Sequence, residues 1–146
     1  MTRYTFALED WLNIFFQLSL STFIGAMIGR ERYQEHKPAG MRTHILVCLG
    51  ATIFVMIPFQ DPNLMTPSQI IQGVAQGIGF LGAGLILHQS SRKEPNDIKV
   101  KGLTSAAAIW ATSALGIAVG VGIYPLALLG ALFVIFTLKL LLRFER

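Results

Sequence analysis

Long stretches without charge constrain this chain more than any other feature. Residues 11–29 and 102–138 carry no charged side chain, and 43–91 carries only Asp61. Water-facing helices need solvated groups at every turn, whereas a helix that crosses a hydrocarbon core needs about 20 consecutive apolar residues. Composition agrees, since 53% of the 146 residues are hydrophobic and only 14% charged, an apolar excess over ordinary globular usage. The lipid bilayer is therefore the expected solvent. With no water to satisfy the backbone, the fold class predicted is all-α, an integral membrane bundle of five transmembrane helices in a single domain, 1–146.

The five spans are expected at 11–30, 43–59, 70–88, 103–121 and 124–142, of which the second is short enough for partial insertion. Between them lie Pro38 and Gly40; Pro58, Asp61, Pro62 and Pro67; Pro95 and Asn96; and Gly122 and Pro125. Pro125 falls in a first helical turn, where its missing N–H costs nothing. Glu9 and Asp10, rather than basic residues, precede the first apolar run, so this run does not read as a cleaved leader and is expected to persist. The single cysteine, Cys48, excludes a disulfide framework and reads as packing.

One motif points elsewhere. GIGFLGAG at 77–84, with Asp97 beyond it, has the glycine pattern of a dinucleotide-binding loop. The context is wrong, because IIQGVAQ precedes it and LILHQ follows, with neither a strand nor a βαβ unit around it. On a helix, Gly73, Gly77 and Gly84 share one side while Gly79 and Gly82 occupy the other. A helix bare on two faces admits close neighbours on both, so the segment is expected to be the central helix. Elsewhere Ser21, Gly25 and Gly29 line one face of the first span, and Ser105, Ala108, Thr112, Gly116 and Gly120 line one face of the fourth. Such stripes serve packing within the chain or self-association into a homo-oligomer, the dimer being the simplest.

Basic residues set the orientation. Arg30, Arg32, Lys37 and Arg42 lie in the first loop and Arg92, Lys93, Lys99 and Lys101 in the third, while the second and fourth loops contain no Lys or Arg. The positive-inside rule then places the N-terminus outside, and the C-terminus, with Lys139, Arg143 and Arg146, in the cytoplasm. The net charge of +4 is mostly this signal, and no basic face with interleaved aromatics suggests a nucleic-acid partner.

Candidate chemistry gathers at the cytoplasmic boundary. Glu31 lies at the C-terminal end of the first helix, where the helix dipole disfavours it, and Arg42 and the N-termini of the second and fourth helices are the candidate partners. Thr43 and Thr104 are expected to cap the second and fourth helices. This layer reads either as a structural ion-pair network or as an ion or substrate site. Gln72 and Gln76, one turn apart, either bond between helices or line a polar path. His36, His44 and His88 lack metal-site spacing, no metal can be named, and no arrangement of Ser, His and acid supports hydrolysis. Neither a cofactor nor an enzymatic activity is expected.

Four blocks, GAMIGRER, KPAGMRTHILVCLGA, GIGFLGAGLIL and KGLTSAAAIWATSALGIAVGVGIY, occur in an order and spacing that resemble the MgtC/SapB family of bacterial inner-membrane proteins. The resemblance covers about residues 20–125. It implies a five-helix membrane domain, a link to magnesium homeostasis and low-magnesium adaptation and, in some pathogens, survival inside host cells. It further implies a regulator of other membrane machinery such as the proton-translocating ATP synthase or a cation transporter. The family's polar signature falls on Glu31, Pro38, Gly40, Arg42, Thr43 and His44, and on Gly102, Leu103 and Thr104, where some relatives carry Asn in place of Thr104. Longer members continue into a soluble ACT-like domain. The match lies in the membrane domain, so roles of the other are not carried over. The alternative to a regulator is a small transporter or ion-conducting homo-oligomer for magnesium or another cation, built on Gln72, Gln76 and the Glu31 layer.

Overall fold

A computed structural model describes residues 7–60, 66–90 and 101–144. Five helices follow one another: α1 (Leu8–Gln34), α2 (Met41–Gln60), α3 (Pro67–Ser90), α4 (Leu103–Val121) and α5 (Tyr124–Phe144). Helices α1, α3 and α4 are long and apolar enough to cross a membrane, and α2 and α5 contain shorter apolar stretches, Met41–Ile57 and Tyr124–Leu140. At about 1.5 Å per residue, the 20 residues of α2 match a hydrocarbon core of about 30 Å. The expected breakers Asp61, Pro62, Pro95 and Asn96, and the basic residues Arg92, Lys93 and Lys99, lie outside the described residues.

Helix ends follow local chemistry, with two corrections. Helix α1 continues four residues beyond the expected membrane span and stops before Lys37–Pro38, where the α conformation is disfavoured. His36 there takes a left-handed φ of 53°, and its N–H reaches the Tyr33 carbonyl while that of Lys37 reaches Arg32. The chain re-enters a helix at Met41, with the Gly40 carbonyl accepting from the His44 N–H at 3.2 Å. Thr43 therefore lies inside the first turn of α2, exposed, and is not its cap. Thr104 is likewise displaced: Gly102, at φ 91°, is the N-cap of α4, and Thr104 is exposed one residue into the helix. A glycine can adopt the left-handed entry that threonine resists. Pro67 opens α3 and Pro125 falls in the first turn of α5, as their missing N–H groups allow.

The centre of the bundle is α4, not α3. In the apolar stretch of α4, 56% of residues are buried, against 6% in α3. Helix α4 packs along α2 and α3 and touches α1 and α5, while α1 also lies along α2. Ile24, Ile28, Cys48, Leu115, Val119 and Ala127 belong to the resulting core. Small residues hold these helices close. A Cβ on Gly25 would sit 2.7 Å from the His44 carbonyl oxygen, and one on Gly29 would sit 2.5 Å from Met41 Cα. A Cβ on Gly116 would collide with the Cys48 carbonyl, and one on Gly120 would lie 2.7 Å from the Thr52 carbonyl. Where helices touch backbone to backbone, dispersion and polar contacts replace the hydrophobic drive that lipid cannot supply.

The glycines of α3 behave differently. A Cβ on Gly82 would meet Ala106 at 3.4 Å, but on Gly73, Gly77, Gly79 or Gly84 it would find nothing within 4 Å. Among the described residues only one side of α3 is used: Ile78 and Leu85 pack against the small cluster of Val47 and Ile109. The glycine pattern alone could not distinguish a helix packed on two sides from one left open on its outer side.

Candidate functional site

The first turn of α2 crosses α1 at Gly29, two residues before Glu31. This brings the positive end of the α2 dipole level with that carboxylate. Glu31 is 4% exposed and Arg32 1%, and Arg32 Nη1 lies 3.5 Å from Glu31 Oε2. Arg42, one of the candidate partners, is exposed. The exchange has a helical cause, since Arg32 is carried inward with Glu31 on α1 while Arg42 follows Met41 on the outer side of α2. Arg32 also occupies the last turn of α1, where a cation is favoured.

His44 is the third member, fully buried and within electrostatic reach of Arg32. Its Nδ1 lies 3.0 Å from the Gly40 carbonyl oxygen, and the Gly25 position admits the His44 backbone because it has no side chain. Both Glu31 oxygens, all three Arg32 guanidinium nitrogens and His44 Nε2 are buried without a hydrogen-bond partner. The ion pair is also longer than a charge-assisted hydrogen bond of about 2.7–2.9 Å. Chemically, the cluster has unused donors on the guanidinium, unused acceptors on the carboxylate and an imidazole nitrogen that can do either. Burial makes each of these groups costly to leave unpaired.

A second polar node sits one layer deeper. Thr52 Oγ1 lies 2.8 Å from the Gly116 carbonyl oxygen, 3.0 Å from that of Cys48 and 2.9 Å from Ser21 Oγ. One hydroxyl proton serves one acceptor at a time, but the three contacts tie α1, α2 and α4 together. Sequence reading missed Thr52 and Arg32. Thr52 could have been found as a hydroxyl in an otherwise apolar run, while Arg32 was hidden among the charges of a loop.

The remaining expected residues are dispersed. Gln72 and Gln76 are exposed on the outer side of α3, so they line no path inside the chain. They form one stripe with Gly79 and Ala83, beside a second formed by Gly73, Gly77, Phe80 and Gly84, and all eight residues are exposed. Phe80 is 82% exposed. Among the described residues no group of His, Cys, Asp and Glu has the make-up of a metal site.

A bundle of long apolar helices locked by small residues, with a buried acid, guanidinium and imidazole at one end, defines a polytopic α-helical membrane protein. The MgtC family model matches residues 18–146, and the chain belongs to that family. It is 44% identical to protein SrpB of Synechococcus elongatus (strain ATCC 33912 / PCC 7942 / FACHB-805), covering 94% of this chain and 79% of that protein. It is 33% identical to protein SapB of Bacillus subtilis (strain 168), over 88% of this chain and 56% of SapB. YhiD of Escherichia coli (strain K12), named as a candidate magnesium transporter, is 34% identical over 84% of this chain and 58% of YhiD. Apart from SrpB, the chain thus spans little more than half of these relatives. No solved structure matches it.

Proposed function

We propose that this chain is a bacterial inner-membrane protein tied to magnesium homeostasis, and that it acts as a non-enzymatic regulator by docking onto other membrane proteins. The observation that carries this reading is the outer side of α3, where two amides and a row of glycines face lipid with nothing among the described residues to cover them. Amides in hydrocarbon are stabilised by bonding across helices, and glycines allow a second helix to approach closely. Two copies inserted in the same direction can satisfy each other, because every Gln76 amide carries both donors and an acceptor. A homodimer is the simplest occupant of the α3 face. The ATP synthase or a cation transporter would be the regulated machinery.

The transporter alternative has its own support in the same place. A path between copies, lined by Gln72 and Gln76, would not need a pore within one chain. Against it stands the poverty of oxygen ligands there, since magnesium is usually held through one or two carboxylates while keeping several waters. Purified protein in sealed vesicles with a magnesium-sensitive dye inside should show no saturable influx above empty vesicles. Influx abolished by Gln76→Leu would establish the transporter instead.

A panel of single-cysteine chains in a Cys48→Ala background tests orientation and association together. With the N-terminus outside, as the basic loops argue, Thr66→Cys should react with an impermeant reagent from outside and Lys101→Cys only from the cytoplasm. Gln76→Cys should form a cross-link between copies. Labelling with the two sides reversed would overturn the orientation, and a monomeric Gln76→Cys chain under oxidation would remove the dimer.

A further inference from the structure

At the end of the bundle opposite Glu31, a cavity of about 250 Å³ lies between the start of α1 and the end of α4. It is lined by Asp10, Asn13 and Gln17 from successive turns of α1, by Gly120 and Val121 from the last turn of α4, and by the apolar Ile14 and Met56. We infer that this cavity is a binding site for a hydrated divalent cation, held through its water shell by the Asp10 carboxylate, the Asn13 and Gln17 side-chain oxygens and the end of α4.

Electrostatics select the sign of the ligand. Among the described residues no Lys, Arg or His lines the cavity, and Asp10 supplies a formal negative charge. The final carbonyls of α4 add the negative end of a helix dipole, about half an elementary charge. The amides are oriented to help. Gln17 Nε2 donates to the Val119 carbonyl at 3.2 Å, which commits the donor end of that amide to α4 and leaves Oε1 as its acceptor end. Asp10 Oδ2 accepts from the Ala7 N–H at 2.8 Å. That contact holds the carboxylate at the start of α1, where the positive end of the helix dipole favours an anion.

The lining suits the hydrated form of the ligand. A bare cation needs oxygens at about 2.0–2.6 Å on several sides, whereas this cavity is lined by one carboxylate and two amides with an apolar wall of Ile14 and Met56. Six waters, at about 30 Å³ each in the liquid, occupy about 180 Å³. A cation that retains its waters therefore fits, and a small divalent ion is the one that gives them up most reluctantly. The carboxylate, amide oxygens and carbonyls are all acceptors for the protons of such a shell.

The test uses the purified full chain in an uncharged maltoside detergent at constant ionic strength, which screens diffuse attraction equally in all samples. Mn²⁺ is the probe, followed by its electron paramagnetic resonance signal. Saturable binding of Mn²⁺ is expected, displaced by Mg²⁺ and not by Na⁺ or ethanolamine. Asp10→Asn and, separately, Asn13→Leu should each weaken it, the former by about tenfold or more, while Glu9→Gln, on an exposed neighbour outside the cavity, should change it by less than about twofold. Asn13→Leu leaves the Asp10 contact with Ala7 intact, so it remains informative if Asp10→Asn disturbs the helix start. Absence of saturable binding, an unchanged affinity in both cavity variants, an equal loss in Glu9→Gln, or displacement by ethanolamine or Na⁺ as readily as by Mg²⁺ would each overturn the site.

Discussion

Replacement of Glu31 by Leu, with Arg32 left in place, is expected to destabilise the folded chain by about 3–5 kcal/mol, because a guanidinium that is 1% exposed loses its counter-charge. Arg32→Leu should cost a similar amount for the mirror reason, stranding the Glu31 carboxylate. The double replacement exchanges two buried charges for apolar groups and should fall short of the sum by at least about 1 kcal/mol, the signature of residues in contact. Arg42→Ala, at an exposed position, should stay within about 0.5 kcal/mol. Unfolding in mixed micelles, followed by circular dichroism over the full set, checks all four values. If Arg42→Ala instead cost as much as Arg32→Leu, Arg32 would not be the partner that sets the Glu31 carboxylate.

The second large effect concerns glycines that a helix scale treats as equivalent. Gly116 and Gly50 both lie inside helices, where Gly→Ala alone should stabilise by about 0.5–1 kcal/mol. A Cβ at Gly50 meets nothing within 4 Å, and Gly50→Ala should show that gain. A Cβ at Gly116 would overlap the Cys48 carbonyl oxygen and sit 3.0 Å from Ala51 Cβ. Backbone cannot rotate away as a flexible side chain can, so α2 and α4 must separate and the Thr52 bridge to Gly116 must lengthen. Gly116→Ala should therefore be destabilising by about 1–3 kcal/mol or more. The same unfolding measurement decides it, and equal stability of the two variants would show that α2 and α4 do not pack this closely.

Much of the architecture was legible from the chain alone, for reasons that are local. Uncharged runs of helical length can be satisfied in lipid only by helices, and Lys37–Pro38, Gly122 and Pro125 mark ends through their own backbone restrictions. At Gly122, φ is 86°, and its N–H reaches the Val119 carbonyl while that of Ile123 reaches Ala118. The stripes of Ser21, Gly25 and Gly29 and of Ser105 through Gly120 were readable because one face of one helix is a sequence property, and these residues are indeed buried.

What sequence could not decide was which faces meet. The spacing of GIGFLGAG makes α3 narrow on two sides, but whether a neighbour fills each side depends on the crossing of α2 and α4, set by contacts at Gly116 and Gly120 far along the chain. The contact of α1 with α2 at Gly29 accompanies a buried Arg32 and an exposed Arg42, although the two bear the same charge and lie in one basic stretch of the sequence. Charge pattern, helix length and end chemistry act through nearest neighbours and the surrounding solvent, so the sequence by itself determined a membrane helix bundle and its segment boundaries. Partner choice among buried charges and the exposure of the α3 face arise from the summed fit of helices distant in sequence, and only the tertiary structure decided them.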